Sequence, residues 1–132
     1  MTKRRTLVFL IGGLLVAAFQ AQSHHSFLAE YNMDEIITVT GIVTEVWYQN
    51  PHSRVYVKAQ NDQGETVLWE METFPRNILV RRGWRHDDLD EGDEVVVTGR
   101  QARDGGYRLQ MLTINRPADG WVGVGFDTES VD

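Results

Sequence analysis

Four residues in this chain have the types and spacing to do metal chemistry. His24 and His25 stand side by side ahead of Ser26-Phe27, His52 follows Asn50-Pro51, and Glu72 sits two residues after Glu70 in an alternating segment. Imidazole nitrogens and carboxylates are donors for divalent transition metals. The chain has no cysteine, so thiolate and iron–sulfur sites drop out. This donor set suits Cu(II), which favours tetragonal nitrogen ligation and heads the divalent affinity order. Zn(II) on His24, His52 and Glu72 is the lesser form of the same idea. The fourth histidine, His86 in Arg85-His86-Asp87-Asp88, reads as a solvated loop residue.

The value of His24 depends on how the chain is processed. Lys3, Arg4 and Arg5 form a positive segment, Leu7–Phe19 is apolar, and Ala21-Gln22-Ser23 offers small residues at a cleavage site. This is the pattern of an export signal cut after Ser23. The cut would give His24 a free α-amine beside its imidazole, which together chelate a metal. Cleavage after Ala18 is the alternative, and it would leave the histidines inside a short tail. The 13-residue apolar run is too short for a membrane span, which takes about 20 helical residues. The expected mature chain is therefore periplasmic, without a stable membrane anchor. Arg4-Arg5 could mark twin-arginine export, but Thr6-Leu7-Val8-Phe9 fits that pattern poorly.

Residues 1–23 carry three of the 13 Lys and Arg and none of the 19 Asp and Glu, so the 109 residues that remain stand at −9. That balance argues against nucleic acid and anionic lipid, which are bound through clustered Lys and Arg. A metal ion or a small ligand stays compatible with it, and a protein partner is left open. With no disulfide available, one modest hydrophobic core must hold the fold.

The elements that would position these residues follow from the hydrophobic pattern. Residues 24–35 read as an N-terminal arm, 36–115 as the folded domain, and 116–132 as a Gly-rich, acidic and irregular tail. Residues 36–49 are dense in β-branched and aromatic side chains and read as one long strand. Gly41 marks a change of phase between Ile37/Val39 and Ile42/Val46, which suggests a bulge or a sharp coil. Two alternating strands follow, with Val55, Val57 and Ala59 and then Val67, Trp69 and Met71 on one face. A short helix opens at Pro75 and stops at Gly83. Strands over 94–99 and 107–114 complete the domain. All-β with one short helix, in the order β-β-β-α-β-β, is the order of the five-stranded OB-fold barrel. A small open β-sandwich is the alternative.

Among the aromatics, Trp47, Tyr56 and Trp84 are candidates to bind a small ligand such as a sugar or a peptide, as OB faces do. Strand aromatics more often fill cores and cross-strand pairs. Glu70 and Glu72 share a strand face at about 6–7 Å, a separation open to acid–base work in principle. Ser26 and Ser53 each neighbour a histidine only in sequence, which is no nucleophile–base geometry. No catalytic constellation is supported.

These segments together resemble a group of small exported bacterial proteins, grouped as a domain of unknown function. The resemblance rests on His24-His25-Ser26-Phe27, the first strand from Thr40 to Val46, Asn50-Pro51-His52, Trp69 to Glu72, Arg81 to Trp84, and Gly92 to Val95. It covers nearly all of residues 24–115 and departs at Thr73-Phe74-Pro75-Arg76, while the tail lies outside it. It implies an exported OB-like barrel and a shared interest in His24, His25, His52 and Glu72, with no established activity. Intact-mass measurement on the protein recovered from the periplasm is expected to give a chain starting at His24, and a start at Phe19 would mean the cut falls after Ala18.

Overall fold

The computed structural model describes residues 28–126. The chain divides into two compact units between Glu30 and Tyr31; the barrel belongs wholly to the second, and of the first only the helical turn at 28–30 is described. The strands are β1 (Ile37–Trp47), β2 (Ser53–Gln60), β3 (Thr66–Thr73), β4 (Glu94–Gln101), β5 (Arg108–Arg116) and β6 (Trp121–Val124), with the helix α1 (Arg76–Arg81) between β3 and β4. The sheet runs β3-β2-β1-β4-β5-β6, and a parallel pairing of β3 with β5 closes its first five strands into a barrel. This is the five-stranded, OB-like architecture expected from the element order. Closure removes the open edges that a flat sheet would present.

β1 reaches both sides of the barrel by changing partners along its length. Residues Ile37–Ile42 pair with β4, and Ile42–Trp47 pair with β2. Gly41 lies at the crossover, where a Cβ would overlap the Lys58 carbonyl oxygen. The bulge itself is further on, between Val43 and Glu45. The expected phase change at Gly41 is thereby corrected. Val39 and Val43 both face the core, Ile42 remains 42% exposed, and the extra residue at the bulge is what turns Val46 back inward.

The core is filled by Val39, Val43, Val55, Val57, Met71, Val95, Val97, Leu109, Met111 and Ile114, which alternate inward along the strands. Leu79 of α1 caps one part of it. The helix ends in a hydrogen-bond pattern that uses two of its free carbonyls. Gly83 donates to Val80 O at 3.1 Å and Trp84 donates to Leu79 O at 3.0 Å, with Gly83 at φ 93°. That reversal drops Trp84 into the core beside Leu79.

Part of the tail expected to be irregular, Trp121–Val124, forms β6. Gly120, at φ 74°, ends a turn that returns the chain antiparallel to β5, with Arg116 opposite Trp121 and Thr113 opposite Val124. Arg116 holds the turn by bonding Asp93, Asp119 and the Asp88 carbonyl oxygen. Trp121 packs edge-on to Trp84 at 5.2 Å, and Gly123 leaves the room that the Trp84 ring occupies. A Gly-rich composition concealed this strand because Gly120 serves the turn and Gly123 and Gly125 serve close packing. If β1 is phased as described, Val43→Thr buries a hydroxyl and costs about 1–3 kcal/mol. Ile42→Thr, its exposed neighbour, stays within about 0.5 kcal/mol; urea unfolding midpoints measure both.

Candidate functional site

His52 and Glu72 are brought together by the way β2 and β3 begin and end. Ser53 starts β2 opposite Thr73, the last residue of β3, and Arg54 pairs with Glu72. The turn before β2, which contains a cis Asn50–Pro51 peptide, is tied down from several sides. Gln49 N donates to Ser53 Oγ at 3.2 Å, Ser53 N donates to Phe74 O at 3.2 Å, and Arg76 N donates to Gln49 O at 3.0 Å. These bonds fix the backbone on either side of His52, so its imidazole stands over the end of β3.

Trp69 and Met71 point into the barrel, so Glu70 and Glu72 point outward. Outward does not mean solvated. Glu72 is only 8% exposed, because two side chains cover it. His52 Nδ1 meets Glu72 Oε1, and the Tyr31 hydroxyl donates to Glu72 Oε2 at 2.5 Å. Tyr31, 1% exposed, is held in turn by an isolated antiparallel bridge to Ala102 and by the bond from Asn32 N to Gln101 O at 2.9 Å. A buried carboxylate without donors would be costly, and here a phenol and an imidazole serve it.

Polar residues continue from Glu72 across the barrel closure. Glu72 pairs in register with Gln110 on β5, and Gln110 with Arg100 on β4. Arg100 and Gln110 are both buried, and Arg100 Nη1 donates to Gln110 Oε1 at 3.1 Å. Arg54 turns away from this row to Glu70, Nε to Oε1 at 2.8 Å. Glu70 and Glu72 therefore share a face but have separate partners.

His24 and His25 lie outside the described residues. Among the described residues, no group of three or more His, Cys, Asp or Glu is placed to hold a metal ion. His86 sits in an exposed loop whose Arg85 and Asp87 pair with each other. Sequence reasoning missed Tyr31, Gln110 and Arg100. Tyr31 belongs to no periodic element, and nothing in the spacing of Gln110 and Arg100 singles them out. Only the strand register gathers them beside Glu72.

A model for a family of unknown function (DUF6152) matches residues 12–109. The chain belongs to that family. No curated protein matches it. The DUF6152 match takes in Tyr31, His52 and Glu72 and stops one residue short of Gln110, so β6 lies beyond it.

The aromatic candidates separate into two environments. Trp47, 37% exposed, and Tyr56 form an edge-to-face pair at 5.2 Å on the outside of β1 and β2. Trp84 is 5% exposed, its Nε1 donates to Val124 O at 3.1 Å, and it packs with Trp121 in the core. Tyr48 donates to Arg85 O at 3.1 Å, and burial, helped by Asp88, Asp87 and Asp90, pushes its phenol up to about 12. From these environments, Trp84→Ala is expected to cost about 3–5 kcal/mol of stability. Trp47→Ala should cost less than about 1 kcal/mol, and paired denaturation curves test the difference.

Proposed function

We propose that this protein is an exported, periplasmic metal-binding member of its family, with Cu(II) as the preferred metal and His52 in its donor set. The observation that supports this reading is the meeting of His52 and Glu72. An imidazole from the turn before β2 and a carboxylate from the end of β3 converge, and the imidazole stays accessible, its side chain 30% exposed. One imidazole alone is a weak site. The sequence offers further nitrogens in His24 and His25, and the His24 α-amine joins them if the chain is cut after Ser23. Amine and imidazole nitrogens in that number suit the tetragonal preference of Cu(II). Zn(II) on His24, His52 and Glu72 is the weaker alternative, and the net negative charge favours cations of either kind.

A second reading is a binding module without metal, using the outer face of β1 and β2 for a small ligand or a protein partner. The exposed Trp47–Tyr56 pair favours it. The two readings part in one experiment, calorimetric titration of Cu(II) into the mature protein purified from the periplasm. One-to-one binding is expected, lost in His24→Ala and weakened about tenfold or more in His52→Ala. One extra residue before His24 should also weaken it sharply. Binding no tighter than the buffer's own, or binding that ignores all three changes, overturns the metal reading and leaves the Trp47–Tyr56 face.

A further inference from the structure

Glu72 has two neighbours, one on each oxygen, and this arrangement assigns it a role different from ligation. Ionised carboxylates only accept hydrogen bonds, so the proton shared with His52 must come from the ring. A neutral imidazole carries one proton, and the contact with Glu72 Oε1 is made through Nδ1. In a neutral ring facing an ionised Glu72, that proton sits on Nδ1 and Nε2 bears the lone pair. On its other side Glu72 Oε2 accepts from Tyr31, whose backbone is anchored to Gln101 and Ala102. The carboxylate is thus braced between a fixed phenol and the ring it orients.

We infer that Glu72, braced by Tyr31, is a positioning residue that holds His52 as the Nδ1–H tautomer and directs Nε2 to an incoming metal. For its metal, this rests on the reading proposed above; for the tautomer, it rests on the described geometry alone. Carboxylate-oriented histidines are common around metals, and losing the orienting group typically weakens binding by about 10–100-fold. Two features favour orientation over ligation here. Glu72 is buried beneath the two groups it serves, so an ion arriving from solvent meets the more exposed ring first. Its partners also come from separate parts of the fold, the turn before β2 and the segment before β1, which together resist rotation of the carboxylate.

The first test needs no metal and no variant. Nitrogen-15 NMR of the metal-free protein at about pH 8.5, two units above the usual imidazole pKa of about 6.5, reports which ring nitrogen of His52 carries the proton. The expected result is Nδ1–H, opposite to the preference of a free histidine side chain. An Nε2–H ring, or one still protonated on both nitrogens, overturns the inference. Tyr31→Phe keeps the ring packing while removing the brace, and it is expected to let the Nε2–H form appear; an unchanged tautomer removes Tyr31 from the role.

The second test is Cu(II) titration with electron paramagnetic resonance on Glu72→Leu, with circular dichroism to verify the fold. A positioning residue predicts affinity lower by about 10–100-fold with the donor set of the bound Cu(II) unchanged. A changed hyperfine pattern at full occupancy shows that Glu72 was itself a ligand and overturns the positioning role. If the wild-type protein takes up no Cu(II), the metal reading fails on its own, and the nitrogen-15 result still decides the tautomer.

Discussion

Parallel pairing of Glu70–Glu72 with Arg108–Gln110 closes the sheet on itself, and most other features follow from that short contact. Because β5 has β3 on one side only over these residues, its later half is free to take β6 in the same lane. Closure also obliges β1 to serve β4 with its first half and β2 with its second. Gly41 and the bulge after Val43 are the local means by which one strand bends through both pairings. The apolar side chains then face a common interior, and their burial supplies the main drive for folding without a disulfide.

The same closure builds a polar layer on the outside of the barrel. It sets Glu72, Gln110 and Arg100 in one cross-strand row, and Tyr31 reaches that row from the segment before β1. Burying a carboxylate and a guanidinium is unfavourable unless donors and acceptors are supplied. Glu72 has both oxygens served, whereas Arg100 is bonded to Gln110 and its Nε has no partner among the described residues. That asymmetry places the well-satisfied end of the row at His52, where the imidazole is accessible. Rigidity at the carboxylate and access at the ring are the two properties that a histidine ligand needs from its surroundings.

From residue types, His52 and Glu72 were legible only as candidate ligands of one metal site, not as a contacting pair. The partner on the other oxygen was not legible at all. Tyr31 stands outside every periodic segment, and its role exists only because a backbone bridge at Ala102 fixes where its ring must go. The aromatic candidates divide for a similar reason. Trp47 and Trp84 are equally apolar in sequence, yet the helix-terminal turn at Gly83 sends Trp84 inward, while the outward phase of β1 after its bulge leaves Trp47 in solvent.

What residue order alone determined is the order of the first five strands and the helix, the inward faces of β2 and β3, the stop of α1 at Gly83, and the absence of disulfide support. These are local properties, set by side-chain periodicity of two along a strand and by the backbone freedom of glycine at a helix end. Tertiary structure decided the closure of the barrel, the true position of the bulge in β1, the pairing of β6, and the burial of Glu72 under Tyr31 and His52. Each of these depends on which distant strands become neighbours and in what register. A shift of one residue would exchange every inward for every outward side chain, and no stretch of sequence read by itself carries that information.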